Sequence, residues 1–422
     1  MRWPVTLVCR DTGEQYDASE PRWSADSGGL LDIDFTPSLD RQDVAERPPS
    51  LWRYREALPI DAAVTPVSLG ESVTPLVRIS LGGIPVLVKQ DHLFPTGSFK
   101  DRGAALMVSR LRHLGIGHVV EDSSGNAGCA VAAYCARAGI GCDIYVPRAT
   151  SDAKLTQLDY YGARIHRIDG TREDVARVAR DAARSSYYAS HVWDPFFLHG
   201  TKTFAYEIAE QLGWRAPDAV VVPVGNGTLL LGAYLGFAEM QSMRIIDRMP
   251  QVIGVQASGC APLESVWREG GVALPAGDAV ASLAEGIAVM RPARWRSIIE
   301  AVRGTGGGIF RVSEGAIRSA LLELGRMGFF VEPTAAVAIA GVQELLRRPG
   351  DRETIVSVFT GTGLKAGHVL HEVLHSGGGS LVTFCQNRQR VRWLTSFYRK
   401  ARILGTIVGR MSVTHMARHG SS

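Results

Sequence analysis

The sequence predicts an α/β protein of two domains, in which mostly parallel sheets are covered by helices and a small ligand lies in the cleft between the domains. The chain has 422 residues, which is more than a single domain usually needs. Hydrophobic residues make up 45% and charged residues 21% of the chain, and this composition excludes a mainly disordered protein. Between about residue 85 and residue 365, strand patterns alternate with helix patterns, as in parallel sheets buried on both faces.

Breaks in these patterns divide the chain into four parts. Proline and glycine interrupt the first part, which we expect to be loosely structured. The last part has no acidic residue, and its mixture of apolar and basic residues at 393–411 favours an amphipathic helix packed on protein rather than on a membrane. The parts are a lead segment (1–60), a smaller α/β domain (85–190), a larger α/β domain (61–84 plus 191–375) and a basic tail (376–422).

The elements follow from the spacing of apolar residues. Short apolar runs bounded by turn formers predict strands, and apolar residues three and four positions apart predict helices. The smaller domain is expected to contain strands at 86–88, 119–120, 143–147 and 164–168, and helices at 104–114, 127–137 and 154–161. After an interruption at 185–198, the larger domain is expected to contain strands at 219–224, 252–255 and 354–359, and helices at 203–212, 229–240, 313–326 and 334–346.

Charge, cysteines and hydropathy exclude several classes of function. The net charge of +4 is too small to indicate a nucleic-acid partner, and eight basic residues after Glu372 leave the rest of the chain at −4. Six cysteines without a Cys-x-x-Cys pair do not form a disulfide framework. The one long uncharged run, 219–238, is broken by Pro223 and the glycines after it, so we expect no membrane span. We therefore expect a cytoplasmic protein.

A single lysine stands in a tight turn just ahead of a predicted helix. The segment 95–103 reads PTGSFKDRG, with Lys100 between two glycines. A lysine held in a cleft can lose its charge by desolvation and attack a carbonyl group. The alternative, a solvated surface lysine, is the commoner situation for lysines in general. Asp101 and Arg102 would then be a charge pair at the start of the helix.

A second junction carries small polar residues at a predicted helix start. These residues are Ser123, Ser124, Gly125, Asn126 and Ala127. Free backbone N–H groups and the helix dipole favour an anion at such a place. Simple N-capping by serine or asparagine explains the same residues equally well.

A third junction follows the predicted strand at 219–224. It consists of Gly225, Asn226, Gly227 and Thr228, which precede a helix. Glycines after a strand let the backbone wrap an anion at the helix N-terminus, so the pattern favours phosphate binding over a plain turn. The loop is neither a Walker A sequence nor Gly-x-Gly-x-x-Gly.

Taken together, the three segments resemble those of fold type II pyridoxal-phosphate enzymes, and the overall pattern is closest to that of threonine synthases. Segment 95–103 resembles the cofactor-lysine segment, 123–126 the substrate-carboxylate loop and 225–228 the cofactor-phosphate loop. Two later landmarks, at 332–334 and 360–365, follow in the order of the family. The resemblance extends from about residue 65 to residue 365.

The resemblance implies pyridoxal 5'-phosphate as cofactor, in the cleft between the two domains. Lys100 would bind it as a Schiff base and then remove the α-proton of a small-molecule amino-acid substrate. The loop from Ser123 to Ala127 would hold the substrate carboxylate. The cofactor would be contacted by Asn126 at the ring oxygen, by Thr360 at the pyridine nitrogen, and by Gly225, Asn226, Gly227 and Thr228 at the phosphate. A homodimer is also expected.

The implied function is that of a lyase or synthase that eliminates or replaces a group at the β or γ carbon of an L-amino acid. The segment 282–289 resembles the pattern of serine/threonine dehydratases, so an ammonia-lyase is an alternative. A non-catalytic, cofactor-binding regulatory homologue is a third reading. The presence of Lys100 argues against it, because an inactive protein is expected to lose this residue first.

The chain departs from the threonine synthase pattern at two places. The lead segment resembles the zinc ribbon at the start of many threonine synthases, but only Cys9 stands where four ligands would be needed, so we expect no metal. Val192, Phe197 and Leu229 stand where serine, arginine and asparagine would contact the phosphate of O-phosphohomoserine. Weak activity on that substrate is therefore expected.

Overall fold

The computed structural model describes residues 5–277 and 279–375, and their strands form three sheets. The first sheet is antiparallel, in the order β2-β1-β3, and consists of β1 (Thr6–Cys9), β2 (Gln15–Asp17) and β3 (Leu31–Asp34). The expectation of a loosely structured lead segment is therefore wrong. Gly13 lies in the connection between β1 and β2, and Gly28 and Gly29 lie in the one between β2 and β3. Leu7, Cys9 and Leu31 form a small core with Phe196.

The second sheet has six strands in the order β12-β11-β10-β13-β5-β4. All neighbours in it are parallel except β4 and β5, which form an antiparallel pair. Its strands are β4 (Leu76–Leu81), β5 (Ile84–Lys89), β10 (Ala219–Pro223), β11 (Gln251–Ala257), β12 (Gly308–Val312) and β13 (Ile355–Val358). Strand β10 is buried along its whole length, as expected of a central parallel strand covered on both faces.

The third sheet is parallel throughout, in the order β8-β7-β6-β9. Its strands are β6 (His118–Glu121), β7 (Gly141–Pro147), β8 (Arg164–Ile168) and β9 (Tyr187–Tyr188). The prediction of an α/β protein with mostly parallel sheets is confirmed. No helix in the described ranges is long and apolar enough to cross a membrane.

Thirteen helices are present among the described residues. They are α1 (Arg41–Glu46), α2 (Lys100–His113), α3 (Asn126–Ala138), α4 (Asp152–Tyr160), α5 (Arg172–Ala182), α6 (Pro195–Thr201), α7 (Thr203–Gln211), α8 (Thr228–Ser242), α9 (Pro262–Glu269), α10 (Trp295–Gly304), α11 (Glu314–Arg326), α12 (Pro333–Leu346) and α13 (Gly367–His375). Every helix expected between residues 104 and 346 is present within a few residues. The helix expected at 393–411 lies outside the described residues. Helices α1, α5, α6, α9, α10 and α13 were not predicted. Helix α6 occupies part of the interruption at 185–198, where Asp194 caps it and Pro195 starts it.

The described residues fall into two units, one that ends at Gly367 and one that begins at His368. Strand β5 belongs to the six-stranded sheet, although the predicted smaller domain begins at residue 85. The further division of residues 1–367 into a smaller and a larger domain stays a prediction. The predicted basic tail, 376–422, lies outside the described residues.

Four strands of the two larger sheets are followed by the segments singled out from the sequence. The segment with Lys100 follows β5, the 121–128 segment follows β6, the glycine loop follows β10, and Thr360 follows β13. Ligands of open α/β sheets bind beyond the carboxyl ends of the strands, so this arrangement places the candidate site at these four ends.

Candidate active site

Lys100 is the first residue of α2 and is fixed by a neighbouring segment. Phe99 N donates a hydrogen bond to Thr360 O at 3.0 Å, and Thr362 N donates to Gly97 O at 2.9 Å. Gly97 has a φ of +80°, and a Cβ there would lie 2.8 Å from Thr362 Cγ2, so this turn requires glycine. These two hydrogen bonds hold the segment that contains Lys100 next to the segment that contains Thr360.

The side chain of Lys100 lies against aromatic rings. Its Nζ is 4.8 Å from the ring centre of Phe99 and 5.4 Å from that of Phe197. Burial of the amine lowers the pKa of Lys100 to about 7, while the charges of Glu121 and Glu332 act in the opposite direction. An amine with this pKa is uncharged in a large fraction of molecules at neutral pH, which a nucleophile or base requires.

Arg102 holds the first turn of α2 in place through buried ion pairs. It is fully buried and bonded to both oxygens of Asp91, and it bonds Glu207 through Nη1 at 2.6 Å. Asp101 instead accepts a hydrogen bond from Thr96 N at 2.9 Å, and burial raises the pKa of Asp101 to about 7. Asp101 and Arg102 therefore do not form the charge pair that the alternative reading of this segment expected.

The turn with Ser123, Ser124 and Gly125 leads into α3, which begins at Asn126 and continues through Ala127. Gly125 is the N-cap, and no side chain caps the first N–H groups of the helix. A Cβ at Gly128 would overlap the carbonyl oxygen of Ser123, so the chain can fold back this tightly only with glycine there. The uncapped N–H groups and the serine hydroxyls suit a carboxylate.

Glu332 links two residues that were predicted to contact the cofactor ring. It is the N-cap residue of α12, and the sequence identified it only as a landmark. Its Oε2 accepts a hydrogen bond from Asn126 Nδ2 at 2.8 Å, and its Oε1 accepts one from the Thr360 hydroxyl at 2.7 Å. Lys365 Nζ donates to Asn126 Oδ1 at 3.2 Å. The structure therefore brings Asn126 and Thr360 together through one carboxylate.

The loop from Gly225 to Thr228 packs closely against two neighbouring segments. Gly227 has a φ of +83°, and a Cβ there would overlap Ile298 Cδ1. A Cβ at Gly225 would lie 2.9 Å from Ile287 Cα. Helix α8 begins at Thr228 without a side-chain cap, so its first N–H groups lack side-chain acceptors from the loop.

A hydrogen-bonded pair beside this loop was missed at the level of sequence. His191 Nδ1 lies 2.7 Å from Glu121 Oε1, and His191 Nε2 lies 3.4 Å from Asn226 Nδ2. Burial raises the pKa of Glu121 to about 8, and it also lowers the pKa of His191 well below its usual value. An acidic residue directly after a buried strand was the only signal in the sequence that could have identified Glu121.

Of the three residues that depart from the threonine synthase pattern, Phe197 lies near Lys100, Leu229 lies at the N-terminus of α8, and Val192 lies in the loop before α6. Phe197 is fully buried in α6, and its ring lies so close to Gly103 that a Cβ there would overlap it. Leu229 is buried in the first turn of α8, and the carbonyl of Val192 accepts a hydrogen bond from Arg294 Nε at 3.1 Å. Neither Phe197 nor Leu229 offers a polar group to a ligand.

These residues fit an aldehyde cofactor with a phosphate group. The largely uncharged amine of Lys100 suits an aldehyde, and the uncapped start of α8 suits a phosphate. The Asn126 amide and the Thr360 hydroxyl are hydrogen-bonding groups of the kind that a pyridine ring with a phenolic oxygen needs.

Comparison with known proteins agrees with this chemistry. The family model described as "Pyridoxal-phosphate dependent enzyme" matches residues 67–361. Threonine synthase of Methanocaldococcus jannaschii is 35% identical over 372 residues, which cover 85% of this chain and 92% of that protein. Threonine synthase of Mycobacterium tuberculosis (strain H37Rv) is 36% identical over 328 residues, covering 74% and 87%.

Solved structures show the same fold. The threonine deaminase of T.th. is 26% identical with a TM-score of 0.58, over 68% of this chain and 92% of that one. Maize serine racemase is 21% identical with a TM-score of 0.61, over 71% and 91%. The chain belongs to the family of pyridoxal-phosphate-dependent enzymes, and it is a lyase of the threonine synthase-like kind that uses pyridoxal 5'-phosphate.

Proposed function

We propose that this enzyme eliminates or replaces a group at the β or γ carbon of an L-amino acid, with Lys100 as the residue that moves the α-proton. The observation that carries the proposal is the amine of Lys100, which burial holds near a pKa of 7 where four strand ends meet. A solvated surface lysine would keep an ordinary pKa and could not serve as a base at neutral pH.

The other predicted residues receive binding roles in this proposal. Gly225, Asn226, Gly227 and Thr228 hold the cofactor phosphate at the start of α8. Asn126 and Thr360 orient the ring, supported by their common partner Glu332. The turn formed by Ser123, Ser124, Gly125, Asn126 and Ala127 holds the substrate carboxylate with the uncapped N–H groups of α3.

In this proposal, Lys100 acts by accepting a proton at Nζ. The bound cofactor supplies an electron sink for the negative charge that forms at the α carbon. Lys100 Nζ accepts the α-proton and holds it close to that carbon. The rings of Phe99 and Phe197 beside Nζ exclude water, so the proton is less easily lost to solvent.

A serine/threonine ammonia-lyase is the second candidate. It is supported by the similarity to the threonine deaminase of T.th. and by the apolar residues Phe197 and Leu229 where a phosphate contact was expected. Threonine synthesis from O-phosphohomoserine is supported by the greater identity to threonine synthases.

One experiment separates these readings. The purified holoenzyme is incubated with O-phospho-L-homoserine, L-serine, L-threonine and O-acetyl-L-homoserine, while phosphate, ammonia, 2-oxo acid and threonine are measured. Threonine and phosphate from the first substrate indicate a threonine synthase, and 2-oxo acid with ammonia from serine or threonine indicates an ammonia-lyase. If no substrate reacts and no α-proton exchanges with deuterium oxide, the catalytic proposal is wrong and the regulatory alternative remains.

The assembly and location of the protein belong to the same proposal. We propose a homodimer, which sedimentation velocity would measure, and a cytoplasmic location, which cell fractionation would test. The division into a smaller domain at 85–190 and a larger one at 61–84 plus 191–375 is also a proposal.

A further inference from the structure

Glu121 has one carboxyl oxygen that no described residue satisfies. The side chain is fully buried, and Oε1 is bonded to His191, but Oε2 has no hydrogen-bond partner among the described residues. A buried polar atom without a partner costs free energy and needs an explanation. A ligand group placed against Oε2 would provide one.

Glu121 lies in the neighbourhood of the amine of Lys100. Side chains alternate along a strand, so Glu121 shares a face of β6 with Val119, which packs in the same apolar cluster as Phe197. The ring of Phe197 lies 6.1 Å from the ring of His191 and 5.4 Å from Lys100 Nζ. Lys100 and Glu121 are close enough that the charge of each shifts the pKa of the other.

The hydrogen bonds around His191 determine which oxygen of Glu121 carries the acid proton. The amide nitrogen of Asn226 can only donate, so His191 Nε2 accepts from it at 3.4 Å. His191 Nδ1 then carries the hydrogen and donates it to Glu121 Oε1. When Glu121 is protonated, its proton therefore lies on Oε2, where the O–H group is free to donate.

Glu121 is protonated at neutral pH. Burial raises the pKa of Glu121 to about 8, and burial also keeps His191 neutral. The charged form of Lys100 opposes this rise but does not cancel it. The titratable groups that face Glu121 are Lys100 from α2, Asp122 and Tyr188 from the adjoining strand ends, His191 from the loop before α6, and Cys142 from β7.

We propose that Glu121, oriented by His191, donates its proton to the oxygen that leaves the substrate, and that the substrate is therefore an amino acid with a free hydroxyl group on its side chain. This inference rests on the proposed function and narrows its substrate class. The carbon–oxygen bond breaks, its electron pair goes to oxygen, and the proton from Glu121 completes a water molecule. The α-proton goes to Lys100, and for a hydroxyl on the β carbon the electron pair of the broken C–H bond forms the new double bond between the α and β carbons. After product release, Lys100 gives up its proton to solvent and Glu121 regains one.

The same geometry explains why a phosphate leaving group is unsuitable. Hydroxide is a poor leaving group and needs a proton, whereas phosphate leaves without one. Two of the side chains beside Lys100 are an apolar ring, Phe197, and an acid, Glu121, and neither offers the cationic contact that a phosphate needs.

The test compares leaving groups in the holoenzyme and in Glu121→Gln. Glutamine has the shape of a neutral glutamic acid but cannot give up a proton. With L-serine, L-threonine or L-homoserine, whichever the wild type uses best, kcat should fall at least about 100-fold. With β-chloro-L-alanine, whose chloride needs no proton, kcat should change less than about threefold. Glu269→Gln, an exposed glutamate, is the matched control and should change neither.

The pH dependence of kcat tests the role of Glu121 independently. In the wild type, kcat for the hydroxyl substrate should fall as pH rises through about 8, because Glu121 loses its proton there. This decline should be absent with β-chloro-L-alanine. If Glu121→Gln does not fold, His191→Phe keeps a ring but has no donor for Glu121, so it removes the orienting hydrogen bond and should produce the same selective loss to a smaller extent.

Several results would overturn the inference while leaving the proposed function intact. These are a higher kcat/KM for O-phospho-L-homoserine than for every hydroxyl substrate, an equal loss with both leaving groups in Glu121→Gln, or no loss at all. Exchange of the α-proton with deuterium oxide reports on Lys100 alone, so its absence in the wild type would instead refute the proposed function.

Discussion

The surroundings of Lys100 at the start of α2 make its amine reactive. Its backbone is held by the Thr360 segment, and its amine lies against Phe99 and Phe197. Desolvation by these neighbours, and not a positive charge nearby, is the main cause of its lowered pKa. Replacing the rings would therefore change the protonation of Lys100 even without touching the lysine.

Lys100→Ala should abolish the covalent attachment of pyridoxal 5'-phosphate and lower kcat by at least about 100-fold, because the base is removed. Mass spectrometry after borohydride reduction measures the attachment. Lys154→Ala, on the half-buried lysine that pairs with Glu285, is the control and should keep the modified Lys100 peptide. An unmodified Lys100 in the wild type would refute its assignment as the cofactor lysine.

Gly227→Ala should raise the dissociation constant for pyridoxal 5'-phosphate at least tenfold. The new Cβ would overlap Ile298 and displace the loop that we assign to the phosphate. Gly213→Ala is a matched control, since Gly213 also has a positive φ, of +71°, but a Cβ there meets no atom within 4 Å. A fluorescence titration of both variants measures the affinity, and equal values would place the phosphate elsewhere.

At the scale of elements, α2 is held by a buried ion network. Glu207 of α7 pairs with Lys89 of β5 at 2.7 Å and with Arg102 of α2 at 2.6 Å, and all three side chains are fully buried. Burial alone would raise the pKa of Glu207, but Arg102 and Lys89 hold it at about 2. This network joins the helix that begins at Lys100 to β5, the strand next to the edge strand β4 of the six-stranded sheet.

Glu207→Gln should lower the free energy of unfolding by about 3–5 kcal/mol at pH 7, because Arg102 and Lys89 then lose a buried counter-ion. The depressed pKa of Glu207 contributes stability that is present above its ordinary value of 4.5 and is lost as pH falls toward 2. The variant should therefore lose stability less steeply than the wild type over that range. Urea unfolding at several pH values measures this.

The control for this prediction is Glu344→Gln, on the surface of α12. Glu344 pairs with Arg348 four residues later, and such an exposed pair contributes about 0.3–0.5 kcal/mol. If both variants unfolded at the same urea concentration, the buried network would not contribute to stability as we expect.

At the scale of the whole molecule, Arg294 joins the N-terminal sheet to the segment beside His191. It is almost fully buried and bonds Asp32 at 2.6 Å, the carbonyl of Leu31 at 2.7 Å and the carbonyl of Val192. Trp23, from the same lead segment, packs edge-on against Trp193. The lead segment therefore supports one wall of the candidate site.

Arg294→Lys should raise KM for the amino acid several-fold and make the lead segment easier to cleave, because lysine cannot reach all three oxygens at once. Limited trypsin digestion measures the cleavage, and steady-state kinetics measure KM. Arg296→Lys changes an exposed arginine two positions away and is the control. Unchanged digestion and unchanged KM in Arg294→Lys would show that the sheet does not support the site.

Local patterns predicted the fold and the loops of the site because both depend on neighbours in sequence. The apolar run from Val86 to Val88 predicts a strand, and the glycines at 225 and 227 predict a loop. Glu332 and His191 acquire their partners, Asn126 and Glu121, from positions 206 and 70 residues away. No periodicity carries such information, since folding alone brings these residues together.

The contacts of Arg294 also limit how far the protein can be truncated from its N-terminus. A fragment that begins at residue 61 would still encode every residue assigned to the cofactor and the substrate. It would nevertheless lack Leu31 and Asp32, and it would expose Phe196, which the N-terminal sheet covers. A minimal catalytic unit of this enzyme therefore has to include the first three strands, although none of their residues is assigned to the reaction.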